Sequence, residues 1–138
     1  MTPLDLSIAP PRPARDELAG IMFLPRTIDK LRASLPGGNL GLYTIPGFSE
    51  RQCMMLGIDV AALRDVVAEA ANDDAVAAYV TSCVTPEKVE AWNAMASTLK
   101  VQGGDREKAI AAYPYLAERA EVPLAVDNLV EDDRRLFA

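Results

Sequence analysis

Histidine is absent from all 138 residues, and that absence removes more chemistry than any other feature of the composition. No Ser-His-Asp triad, no imidazole base and no His-ligated metal can form within the chain. Cysteine occurs only at Cys53 and Cys83. Two cysteines imply no disulfide framework, and they cannot complete a four-ligand zinc site without histidine. Each reads as a small core residue in preference to a reactive thiol, and no metal is expected. Basic charge is also scarce: the net charge is −6, with 7 basic and 8 acidic residues in 1–69 and 7 and 12 in 70–138. No window reaches the Lys/Arg density that a phosphate backbone demands, so nucleic acid is not an expected partner. No run approaches the roughly 18 apolar residues of a membrane span. The start, Met1-Thr2-Pro3-Leu4-Asp5, lacks the basic and apolar stretches of a secretory signal. A cytoplasmic protein that neither enters a membrane nor binds nucleic acid is the expectation. The glycine-rich segment Gly37-Gly38-Asn39-Leu40-Gly41 is not followed by Gly-Lys-Ser/Thr and lacks the dinucleotide fingerprint, so no nucleotide cofactor is expected. Any catalysis falls to carboxylates, Lys, Arg, Tyr, a thiol or backbone groups.

Aromatic residues are few, at 6%, while half of the chain is apolar. The apolar content leans on Ala, Leu and Val, which favours helix packed on helix over a strand-rich architecture. Residues 1–14, with Pro3, Pro10, Pro11 and Pro13, read as an extended arm lying across the domain or a partner subunit. Residues 15–138 read as one mainly α-helical domain. Asp16 to Ala19 suggests a short helical start. Leu24, Ile28, Leu31 and Leu35 recur at helical spacing behind Pro25, and Pro36-Gly37-Gly38 ends that helix. Ser49 is a candidate cap for a helix over 50–56, with Gly57 as its stop. Asp59, Asn72 or Asp73, Thr85-Pro86-Glu87 and Asp105 open four more. The helix after Thr85 is expected to run to Gly103-Gly104, and the one after Asp105 to be interrupted by Pro114. Residues 122–138 read as an acidic tail with apolar anchors. At most one minor extended segment is expected, around Leu40 to Ile45.

Arg26, Asp29 and Lys30 are surface neighbours on a helix by the three- and four-residue rule, roughly opposite the apolar stripe. Two readings stand side by side. In one they form a solvated face with Asp29 neutralised by its neighbours. In the other they form an anion clamp, with Arg26 and Lys30 holding a negative oxygen and Asp29 orienting them or acting as base. Tyr43, at the exit of the glycine-rich loop, could add a phenol to the cluster, or it could simply pack. Met22, Met54 and Met55 could line a pliable apolar pocket with Trp92, although all four residues also suit a plain core.

The stretch from Pro10 to about Asn93 resembles a bacterial family known as domain of unknown function 5069. The resemblance rests on Pro11-Arg12 with Glu17-Leu18-Ala19-Gly20, then on Leu24-Pro25-Arg26-Thr27-Ile28-Asp29-Lys30-Leu31-Arg32-Ala33. Gly41-Leu42-Tyr43, Leu56-Gly57-Ile58 and Ala91-Trp92-Asn93 follow in order. Where that family usually has an acid after the glycine, this chain has Leu42. Where it usually has a Cys-Pro-Leu-Asp-like string, this chain has Ile45-Pro46-Gly47-Phe48-Ser49. The resemblance implies no activity, but it places Arg26, Asp29 and Lys30 within the signature and so favours a site there.

Two functional classes follow. The first is a cofactor-independent acid/base enzyme, a lyase or isomerase, on a small and aromatic or phenolic substrate. A phenol supplies its own electron sink, so elimination of water or formaldehyde needs only a cation, a base and an apolar pocket. Lys30, Arg26, Asp29 and Tyr43 are the expected catalytic groups, and Met22, Met54, Met55 and Trp92 the expected substrate contacts. The second is a non-catalytic homo-oligomeric binding or assembly module, with a homodimer as its simplest form.

Overall fold

In the computed structural model, which describes residues 1–138, the expected mainly helical fold is present as seven α-helices, six of them packed around one main core and one in a small second cluster with Val101 and Leu116. They are α1 (Leu24–Ala33), α2 (Phe48–Leu56), α3 (Val60–Glu69), α4 (Asp73–Cys83), α5 (Pro86–Thr98), α6 (Arg106–Ala112) and α7 (Ala125–Leu136). The caps read from the sequence act where expected. The side chains of Asp59, Asn72, Thr85 and Asp105 each accept a hydrogen bond from a backbone N–H in the first turn of α3 to α6. Pro25 and Pro86 occupy the first turns of α1 and α5. No helix is long and apolar enough to cross a membrane.

Three local expectations are corrected. Asp16–Ala19 is not helical: β1 (Glu17–Leu18) and β2 (Ile21–Met22) form a small antiparallel hairpin, with Glu17 opposite Met22 and Leu18 opposite Ile21. Ala19 and Gly20 both take positive φ (54° and 74°), the mirror-image turn that fits a two-residue hairpin. Residues 40–45 form turns with no strand, within the at most one extended segment expected there. Ser49 does not cap α2, because Gly47 at φ 112° precedes that helix and Ser49 is buried against Thr27. Helix α5 stops at Thr98, short of Gly103-Gly104, and a 3-10 turn over 101–104 follows, with Gln102 and Gly103 in the left-handed region.

Helix α1 lies at the centre. Leu24, Ile28 and Leu31 enter the main core with Phe23, Leu56, Leu63, Val67 and Trp92. The rings of Phe23, Phe48 and Trp92 form a cluster with centroids 4.5–6.3 Å apart. The proline-rich arm covers the opposite side. Leu4 N–H donates to the Arg32 carbonyl, Leu6 N–H donates to the Asn39 carbonyl, and Leu6 and Pro11 are buried. Nine of the ten α1 residues are therefore buried, so the solvated face allowed by helical spacing does not exist. The acidic tail is α7, which packs against α5 and supplies the cover for the charged residues of α1.

Candidate functional site

Burying three charges on one helix requires partners, and the partners decide which charge remains available. The Arg26 guanidinium, 1% exposed, donates to both oxygens of Asp133 on α7 at 2.7 and 3.0 Å. A further bond reaches the Arg12 carbonyl at 3.2 Å, and the Phe23 and Tyr43 rings flank the group at 5.9 and 5.4 Å. The Tyr43 hydroxyl donates to the same Asp133 at 2.7 Å. Burial and that bond hold the Tyr43 pKa well above its ordinary value. Asp29 turns the other way. Its carboxylate accepts from the Arg12 backbone N–H (2.8 Å), Nε and Nη2, while Arg12 also pairs with Asp73 on α4. That network ties the arm to α1 and α4.

Lys30 is the exception. It is 7% exposed, yet Nζ makes no ion pair and no hydrogen bond, and it stands over the Phe23 ring, 5.5 Å from the centroid. Arg26 Nε is the only sealed side-chain polar atom without a partner, so the unpartnered Lys30 amine retains contact with open space. That space is a cleft of about 630 Å³. Its walls include Phe48, Leu99, Val101, Tyr113 and Leu129, with Asn128 among them and Arg51, Lys100 and Gln102 also lining it. Burial lowers the Lys30 pKa to about 8, Arg26 adds to the lowering, and Asp133 opposes it. Burial raises the Tyr113 phenol, so it acts as a proton donor in hydrogen bonds and not as a base at neutral pH. Asn128 accepts from Tyr115 through Oδ1 at 2.7 Å, which leaves its NH2 without a protein acceptor.

Of the four side chains assigned catalytic roles from the sequence, Arg26 and Tyr43 meet at Asp133, Lys30 alone lines this cleft, and Asp29 points away into a structural ion-pair network. Arg26 is not placed as an anion clamp, because Asp133 and a backbone carbonyl engage its Nη groups and its unpartnered Nε is sealed from solvent. The expected apolar contacts do not line the cleft. Met54 is 74% exposed on α2, and Met55 packs at the edge of the core. Trp92 is fully buried, its indole N–H donating to the Met22 carbonyl at 2.7 Å. Met22 instead borders a groove between β2 and α5. Asp133, Tyr113 and Asn128 were missed. The signal for Asp133 was available in the helical spacing of Val126, Leu129 and Asp133.

Two larger grooves lack an unpaired buried ionisable group. One of about 950 Å³ runs under the arm, where Arg12, Asp29 and Asp133 are all paired. The other, about 760 Å³, lies beside Met22, Val89 and Asn93. No group of three or more His, Cys, Asp or Glu side chains is placed to hold a metal ion.

A mainly helical domain with the Leu24–Ala33 signature buried at its centre defines the class of protein. The chain belongs to the family described as domain of unknown function (DUF5069), which matches residues 8–135. Comparison with curated proteins finds no matching relative.

Proposed function

We propose that this chain is a cofactor-independent acid/base enzyme, a lyase or isomerase, acting on a small phenolic substrate. The observation that carries the reading is the Lys30 amine, buried without a carboxylate and open to a cleft with apolar walls. A phenol entering hydroxyl-first meets an amine of pKa about 8 against about 10 for the phenol, so proton transfer to the neutral fraction of Lys30 is uphill in isolation and is drawn forward by the ion pair it forms. Where Lys30 is already protonated, as it mostly is below pH 8, a phenolate forms the same ammonium–phenolate pair and supplies the counter-charge that the ammonium lacks. Such a pair is stronger in a partly dry cleft than in water.

The ionised oxygen then drives elimination. Its electron pair moves through the ring, a benzylic C–O bond breaks, and the leaving group departs with the bonding electrons, giving a quinone methide. Tyr113 and the Asn128 NH2 are the hydrogen-bond donors available to that leaving oxygen. Where a hydroxymethyl group stands on the neighbouring carbon, the departed oxygen anion takes its O–H proton, the C–C bond breaks and formaldehyde is released. The electrons of that bond form a new C=C bond as those of the quinone methide return to the ring oxygen, and no oxidant or reductant is consumed.

The test is turnover of 4-hydroxyphenyl benzylic ethers bearing a neighbouring hydroxymethyl group, read as formaldehyde release, with 4-methoxy analogues as controls. Only the free phenols should react, and Lys30→Met should lower kcat/KM by on the order of a hundredfold, the cost of losing one oxyanion partner. Equal reaction of the methoxy analogues, or full activity in Lys30→Met, contradicts the proposal. The assembly-module reading then becomes the better one. It draws on exposed apolar side chains, Leu42 at 80%, Val130 at 46% and Leu136 at 42%.

A further inference from the structure

The charge lining the cleft is one-sided. Three of its fifteen lining residues are cations, Lys30, Arg51 and Lys100, and none is Asp or Glu, in a chain that holds 20 acids against 14 basic residues. Lys30 is deep, whereas Arg51 and Lys100 are exposed at the mouth. Neither Arg51 nor Lys100 makes an ion pair or a side-chain hydrogen bond, although Arg12, Arg15, Arg26, Arg134 and Arg135 all do. Two helix N-termini add to the positive potential. Gly47 at the start of α2 and Ala125 at the start of α7 both line the cleft, and neither helix has a side-chain cap. Uncapped N-termini carry partial positive charge. The one acid in these first turns that is fixed elsewhere, Asp127, is held by Arg15 outside the cleft, while Glu50 on α2 is exposed and does not line it.

One cation at depth is enough for a phenolate. The mouth carries a second, separate positive group, and the walls between are apolar. We propose that the substrate is a phenolic carboxylate: its phenol lies against Lys30, its ring against Phe48 and Leu129, and its carboxylate between Arg51 and Lys100. The inference rests on the phenolate reading of Lys30 and adds the second anion to it. An exposed Arg–carboxylate contact contributes modestly, so the mouth gives preference among phenols and not the bulk of the affinity.

Titration calorimetry with 4-hydroxybenzoate, 3-(4-hydroxyphenyl)propanoate and 4-hydroxycinnamate, each beside its primary amide, separates the two claims. The intact chain should bind at least one acid roughly tenfold more tightly than its amide, and the difference should shrink as salt screens it. The double variant Arg51→Gln/Lys100→Gln should abolish that preference while leaving amide affinity within about twofold. Both residues are exposed, so the fold should be unaffected, as a matching far-UV spectrum would show. Lys30→Met should weaken acid and amide alike. If acid and amide bind equally, if no acid in the series binds, or if the double variant keeps the preference, the carboxylate site is wrong. If the preference is present but Lys30→Met binds like the parent, the phenolate reading fails while the anion site at the mouth stands.

Discussion

At the residue scale, the buried charges of α1 differ in how they are compensated, and this sorts them by role. Arg26 and Asp29 are matched by Asp133 and Arg12, which is how a folded chain tolerates a buried charge. Lys30 is matched by nothing, so it carries a cost in the unliganded protein. Its folded pKa is about 8 against about 10.4 in the unfolded chain. Below pH 8 both states are protonated and the folded form bears the whole cost. Between about 8 and 10.4 the unfolded state holds more protons, so stability from this group rises with pH. Above that range both forms are neutral and the cost is gone. Lys30→Met should therefore stabilise the protein at pH 7, by on the order of 1–3 kcal/mol, raising Tm by several degrees. The gain over the parent should shrink steadily from pH 8 to 10. Calorimetric scans of both proteins across that range check it; a variant less stable than the parent at pH 7 contradicts the account. On the solvated-face reading of the sequence, by contrast, Lys30 would have little influence on stability.

At the element scale, α7 is the piece that turns a charged helix face into a closed site. Its inner residues Val126 and Asn128 are buried, and Asp133 reaches across to Arg26 and Tyr43. Removing that carboxylate leaves a fully buried guanidinium without its partner. Asp133→Ala should cost about 3–5 kcal/mol, a fall in Tm of ten degrees or more. The double variant Arg26→Met/Asp133→Ala should recover most of the loss, because no charge then remains stranded. Urea denaturation of the three proteins reads the comparison directly; an Asp133→Ala midpoint close to the parent's would show that the pair does not hold α7 in place. The helices most legible in the sequence are those with a side-chain cap, α3 to α6, of which α4 to α6 also carry a proline or an acid in the first turn. Helix α7 lacks a side-chain cap and has acids at 131, 132 and 133, which obscure its apolar spacing. The hairpin at 17–22 depends on Ala19 adopting positive φ, which no propensity favours.

At the scale of the whole molecule, the site was half legible. The signature around Arg26, Asp29 and Lys30 pointed to the right helix, but helical spacing could not say which side chain stays free. That depends on Arg12 and Asp133, 17 residues before Asp29 and 107 after Arg26. Likewise, the cleft walls come from α2, α7 and the segment after α5, which only tertiary packing brings together. The methionines failed as guides because their flexibility suits core, groove and surface equally. The central claim is that the protein keeps one amine desolvated and unpaired for a ligand to neutralise. Lysine is rare enough to test this directly, with only Lys30, Lys88, Lys100 and Lys108 in the chain. In protein labelled with 13C at lysine Cε, NMR titration should show one resonance with a midpoint near 8 that is absent from Lys30→Met. No resonance with a midpoint near 8, or one that survives Lys30→Met, would contradict it.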